Sequence, residues 1–96
     1  MFVVRNVFKC KPGQAKHLIE KFRKANALMA DAGFNERILV DEVAQFWTVV
    51  IETEVEDLAD FAKAMQEYGG REDVQEAMAG YMDIVDGGYR EIFRVA

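Results

Sequence analysis

Arg5 and Asn6 stand side by side at the centre of FVVRNVFKC, residues 2–10, an otherwise largely apolar run. A strand with two apolar faces tolerates a guanidinium and an amide only where each meets a partner. The rest of the chemical inventory is short. The chain has no serine, one cysteine (Cys10) and one histidine (His17). A Ser–His–Asp hydrolase is therefore excluded, and Cys10 with His17 is the one Cys–His pair that could form, although nothing in their placement favours it. A His/Cys zinc centre lacks ligands. The seventeen acids fall mostly on helix exteriors, so no metal site is expected. No glycine-rich phosphate loop is present, since Gly69-Gly70 and Gly87-Gly88 read as helix ends. No cofactor is expected.

The elements that must position these residues show in the periodicity. In the first strand, residues 2–10, Phe2, Val4, Asn6, Phe8 and Cys10 point one way and Val3, Arg5, Val7 and Lys9 the other. Lys11-Pro12-Gly13 stops it, and Pro12 suits the first turn of a helix because its φ is already near the helical value. In that helix, to about Asp31, Ala15, Leu18, Ile19, Phe22, Ala25, Asn26 and Met29 share one face. His17 lies opposite among Lys16, Glu20, Lys21 and Lys24, where it is expected to be exposed and without a role. Gly33 supplies the exit. Two strands follow over 34–43 and 45–54, with a short turn near Val43-Ala44. Thr53 and Glu56 have capping-box spacing for a second helix with the stripe Leu58, Phe61, Ala62 and Met65, ending at Gly69-Gly70. A third helix turns Val74, Ala77, Met78, Tyr81 and Val85 inward and runs to Gly87-Gly88. Gly80 within it costs about 1 kcal/mol against alanine, which points to close packing or a bend. YREIFRV is the final strand.

The order β-α-β-β-α-α-β over residues 1–96 describes one α+β domain. A ferredoxin-like split βαβ sandwich satisfies it, with four antiparallel strands ordered 4-1-3-2 and the helices on one face. The first strand is then central and apolar on both sides, yet helices cover only one. The other side must meet solvent or a second sheet.

The Lys11-Pro12-Gly13 junction, the long first helix, the acid-rich EVEDLADF and the closing MDIVDGGYREIFRV together resemble the dimeric α+β barrel proteins. The resemblance lies near the antibiotic-biosynthesis-monooxygenase-like and NIPSNAP-like branches and spans almost the whole chain as a pattern. It implies a homodimer in which two sheets pack face to face, with Val3, Arg5 and Val7 at the interface. It also implies a pocket between sheet and helices in each subunit. Asn6 then looks into the pocket, and Glu36, Glu52 and Glu91 are the acids available to Arg5, which must have one close by if it is buried.

Some members of the monooxygenase-like branch need neither metal nor flavin, and set an amide and an aromatic ring in an apolar pocket. On that likeness Asn6 and Trp47 are the catalytic candidates, and Asn6, Phe22, Asn26, Trp47 and Tyr81 are the pocket candidates. Asn6 would hydrogen-bond a substrate oxygen, and Trp47 would stack on a ring. Haem-degrading relatives place an Asn on the first strand, as Asn6 is placed, but also need a His on a later helix. This chain has none there, so haem is not expected. Each candidate has a plainer role beside it, Trp47 and Tyr81 as core aromatics and Asn6 and Asn26 as structural amides.

Composition bounds the partners. A formal charge of −5 argues against nucleic acid, which requires a surplus of cations. Residues 1–24 hold seven Lys/Arg and one acid, residues 25–96 five and sixteen, an asymmetry of solvated or mutually complementary faces. With glycine counted and tyrosine left out, 53 of 96 residues are apolar, above the usual share of roughly 45–50%. That excess suits a second subunit. The lone Cys10 cannot form an intramolecular disulfide, and neither a signal-like segment nor a membrane-length apolar run is present, so the cytoplasm is the expected location. Three functions stay open: a cofactor-free oxygenase or isomerase acting on a small aromatic compound, a binding or sensing protein using the same pocket, and a structural or partner-binding dimer. Polar residues converging on an open cavity favour the first two. A cavity plugged by Phe22, Met29, Met65 and Met78 favours the third.

Overall fold

The computed structural model describes residues 1–96. Its elements are β1 (Phe2–Cys10), α1 (Ala15–Leu28), β2 (Asn35–Val40), β3 (Thr48–Val55), α2 (Leu58–Gly69), α3 (Glu72–Ala77) and β4 (Val85–Arg94), with single 3₁₀ turns at Ala30–Ala32 and Tyr81–Asp83. All pairings are antiparallel and the strands lie in the order β2-β3-β1-β4, the expected split βαβ topology.

The core sits between one sheet face and the helices. Cys10, Ala15, Leu18, Val49, Ile51 and Ile84 form its buried centre, with Phe8, Ile19, Phe22, Ile38, Met78 and Tyr81 packed around it. Alternation assigns the faces, because Phe8 and Cys10 of β1, Val49 and Ile51 of β3 and Ile38 of β2 all point to the helices. Leu18 and Ala25 of the α1 stripe are buried and His17 is exposed.

The opposite face has no helix over it. Register sets Arg37, Glu52, Arg5 and Glu91 in a single row across all four strands, alternating in sign. Arg37 Nε donates to Glu52 Oε1 at 3.0 Å, Arg5 Nε lies 3.4 Å from Glu52 Oε2, and Arg5 Nη1 lies 3.8 Å from Glu91 Oε2. Arg5 Nε is shut off from solvent without an aligned acceptor, so its attraction to Glu52 is Coulombic rather than a hydrogen bond. Of the acids expected for Arg5, Glu52 and Glu91 are in place and Glu36 is not. Glu36 alternates with Arg37 and therefore points to the helix side, opposite Thr53. The adjoining row, Leu39, Val50, Val7 and Tyr89, is apolar.

Several boundaries differ from the sequence reading. Residues 41–47 form a longer connection than a short turn, closed by Asp41 Oδ1, which accepts from Thr48 N at 2.9 Å. Thr53 is buried in β3 rather than capping α2, because β3 stays paired with β1 as far as Val55. The cap is Asp57, whose carboxylate accepts from Ala59 N at 2.8 Å and Asp60 N at 3.1 Å. The third helix stops at Ala77, where Gly80 takes up a left-handed φ of 82° and turns the chain. Gly87-Gly88 is not a helix end but part of β4, whose register with β1 slips by one residue beside Lys9 and Cys10.

The two glycines are not equivalent. A Cβ on Gly88 would overlap the Val7 carbonyl oxygen and come within 3.2 Å of Phe8 Cα, whereas one on Gly87 meets nothing within 4 Å. Gly88→Ala is therefore expected to cost about 1–3 kcal/mol, in the manner of an overpacked site, by urea unfolding. Gly87→Ala should cost clearly less. Equal losses would contradict the close approach of β1 and β4.

Candidate functional site

A cavity of about 390 Å³ lies between the helix-facing side of the sheet and α2. Its floor follows from register. One row runs Glu36, Thr53, Val4, Ile92 and the next runs Ile38, Ile51, Asn6, Arg90, so Glu36, Val4, Ile92, Asn6 and Arg90 share one surface. Its roof is Leu58, Phe61, Ala62 and Met65, spaced along one face of α2. No residue of α2 is fully buried, so the helix roofs a space rather than sealing a core. Two contacts hold it there, the edge-on packing of Phe34 against Phe61 at 5.3 Å and the Tyr68 hydroxyl donating to Asp31 at 2.9 Å. Arg71, stacked on the Tyr68 ring at 5.2 Å, steadies the far end.

Two smaller spaces adjoin it. One of about 240 Å³ is lined by Asn26, Met29, Phe34 and Glu36, and so shares Glu36 with the first. Another of about 320 Å³ is lined by Phe8, Tyr81, Met82 and Val85 and shares Asn6 and Arg90. The largest hollow, about 710 Å³, lies elsewhere, between the outer sides of α1 and α3. His17, Lys21, Lys24, Glu20, Asp73 and Glu76 line it, a solvated groove of mixed sign.

Two polar pairs mark the ends of the main cavity. Arg90 Nε donates to Asn6 Oδ1 at 2.6 Å. At the β2 end the Thr53 hydroxyl donates to Glu36 Oε1 at 3.2 Å. Burial pushes the Glu36 carboxyl above the usual carboxylate range, and the bond from Thr53 pulls it part of the way back. Cys10 offers no nucleophile, because it is buried in the core and burial, with Asp41 and Asp86 nearby, pushes its thiol up.

The sequence candidates are therefore divided. Asn6 lines the main cavity, Asn26 and Tyr81 line the two adjoining spaces, and Phe22 packs on Phe8 with ring centroids 5.2 Å apart. Trp47 lines none of these spaces. It ends the β2–β3 connection at a φ of 61° with 42% of its surface exposed, and its carbonyl accepts from Cys10 N at 2.8 Å. The physical reason is its backbone: it completes the turn into β3 instead of alternating within a strand. Arg90 and Glu36 were missed as members of one site. Their signal was register, since counting back along β4 from its pairing with β1 places Arg90 beside Asn6.

The fold and cavity together define a small α+β domain with a hollow between its sheet and second helix. No family model and no curated protein sequence matches the chain. Solved structures do match its fold. An uncharacterized NIPSNAP-like domain protein from Burkholderia xenovorans superposes with a TM-score of 0.87 at 16% identity, over 99% of this chain and 84% of that one. A NIPSNAP family protein of unknown function from Agrobacterium tumefaciens gives 0.84 at 13% identity, over 100% and 88%. A candidate antibiotic biosynthesis monooxygenase from Chloroflexus aurantiacus gives 0.74 at 13% identity, over 99% and 92%. The chain thus has the ferredoxin-like fold of NIPSNAP-domain and antibiotic-biosynthesis-monooxygenase-like structures.

Glu36 yields a signed prediction. A carboxyl whose folded pKa lies above its unfolded value of about 4.3 binds protons more readily when folded, so its contribution to stability falls as pH rises through that window. Glu36→Gln keeps the shape and the bond from Thr53 and removes the penalty. Its melting temperature should exceed that of the wild type at pH 7, with the gain shrinking towards pH 4. A lower melting temperature at pH 7 would contradict the burial of this carboxyl.

Proposed function

We propose that the chain forms a homodimer through the uncovered faces of two sheets, and that each subunit binds a small apolar or aromatic molecule between its sheet and α2. One observation carries the binding reading. The cavity is open, apolar along α2, and has Asn6 and Arg90 converging on it from adjacent strands. Its volume falls within the roughly 300–1,000 Å³ of ordinary small-molecule sites. Of the side chains that could plug it, only Met65 lines it. Phe22 and Met78 pack against the core instead, which weighs against a purely structural dimer.

The homodimer is supported by the uncovered face. There Tyr89 and Phe93 are 61% and 53% exposed beside Val3, Val7, Leu39 and Val50, and Arg5 stands in a charge row that sums to zero. A stable pairing would bury on the order of 1,200–2,000 Å² in total. Cofactor-free oxygenation is the second reading. It is favoured by the likeness to the Chloroflexus structure and the place of Asn6, and weakened by the distance in the fold between Trp47 and the cavity lining. The excess of acids supports no role on nucleic acid, no helix is long and apolar enough to cross a membrane, and a single unpaired cysteine suits the cytoplasm.

Uncharged 2-naphthol serves as a probe. Ala62 belongs to the roof face of α2, lines the open cavity and takes no part in the buried core, so Ala62→Trp fills the space without disturbing the core. The wild type should bind the probe by calorimetry, and the variant should bind at least tenfold more weakly with its melting temperature little changed. Undiminished binding to the variant, or none to the wild type, would count against the site.

A further inference from the structure

Arg90 is the cation that the cavity leaves without a counter-charge. Arg5, Arg37 and Arg71 each have a carboxylate partner, and Arg90 has none. Its Nε is committed to Asn6 Oδ1 at 2.6 Å, which fixes the plane of the guanidinium, and its two terminal nitrogens donate to no group of the chain. A guanidinium held by one nitrogen keeps a planar fork of donors suited to a carboxylate.

The acid that lines the same cavity does not fill this role. Glu36 is on β2 and Arg90 on β4, at opposite edges of the sheet, three strand spacings or about 14 Å apart. The Thr53 hydroxyl donates to the Glu36 carboxyl and anchors it at its own end of the cavity, away from the Arg90 guanidinium. Between the two ends lie Val4 and Ile92 on the floor and Phe61 and Met65 on the roof, an apolar middle.

We infer that the cavity selects an organic monoanion, an apolar or aromatic body bearing one carboxylate, which Arg90 receives through its terminal nitrogens while Asn6 holds the guanidinium in place. This rests on the cavity being the binding site, as proposed above. Asn6 is then a positioning residue, and Arg90 the residue that sets specificity.

The test compares 2-naphthoate with 2-naphthamide, the same ring system with and without the charge, titrated at fixed ionic strength and followed by backbone amide shifts of residues 58–65. The wild type should bind naphthoate at least tenfold more tightly than the amide. In Arg90→Gln that ratio should fall to about one with the amide's affinity unchanged, and Arg90→Lys should restore part of it. If the amide binds the wild type as tightly as naphthoate, or if the preference survives Arg90→Gln, this inference is overturned while the cavity remains the site. If neither probe shifts the α2 amides, the cavity reading falls and this inference with it.

Discussion

Everything in this fold depends on the strict alternation of β1, which lies between β3 and β4 and has two different environments to serve. Adjacent residues of such a strand cannot share surroundings. Arg5 enters the charged row on the uncovered face, and Asn6 one residue later enters the cavity under α2. The two polar residues that look out of place in an apolar run are each provided for, on opposite sides.

The two faces use charge differently. On the uncovered side four charges of alternating sign form one row, so every arginine there meets a carboxylate and the row needs no further ion. Part-exposed pairs of this kind contribute little to monomer stability. Their consequence is for anything laid over them, because removing one member would leave an uncompensated charge in whatever covers the row. On the helix side the charges are apart, and the arginine keeps free donors. One face is electrostatically closed and the other is open.

The topology was legible because each element carries its own period and because β1 is apolar on both sides. The faces of β1 followed directly from counting by two. Other features lay beyond local pattern. In sequence Glu36 reads as a possible partner of Arg5, and only the phase of β2 shows that it points the other way. Arg90 needed the β1–β4 register, which the slip near Cys10 hides from simple counting. Gly87-Gly88 resembled a helix end because paired glycines after a helical run usually are one. Here Gly88 instead permits the close approach of two strands. Thr53 and Glu56 had the spacing of a cap, but strand pairing outcompeted it and Asp57 took the role. Trp47 is a candidate only because the resemblance calls for an aromatic ring in the pocket, and its backbone conformation at the end of a loop keeps it out of the cavity lining.

The division of labour between the faces of β1 is the central claim, and sedimentation equilibrium of the wild type, Arg5→Ala and Asn6→Ala at micromolar concentration tests it most directly. The account predicts a wild-type species of twice the 10.9 kDa chain, a weakened dimer for Arg5→Ala, and an intact dimer for Asn6→Ala. A wild type that sediments only as a single chain, or a dimer lost with Asn6→Ala and kept with Arg5→Ala, would contradict it.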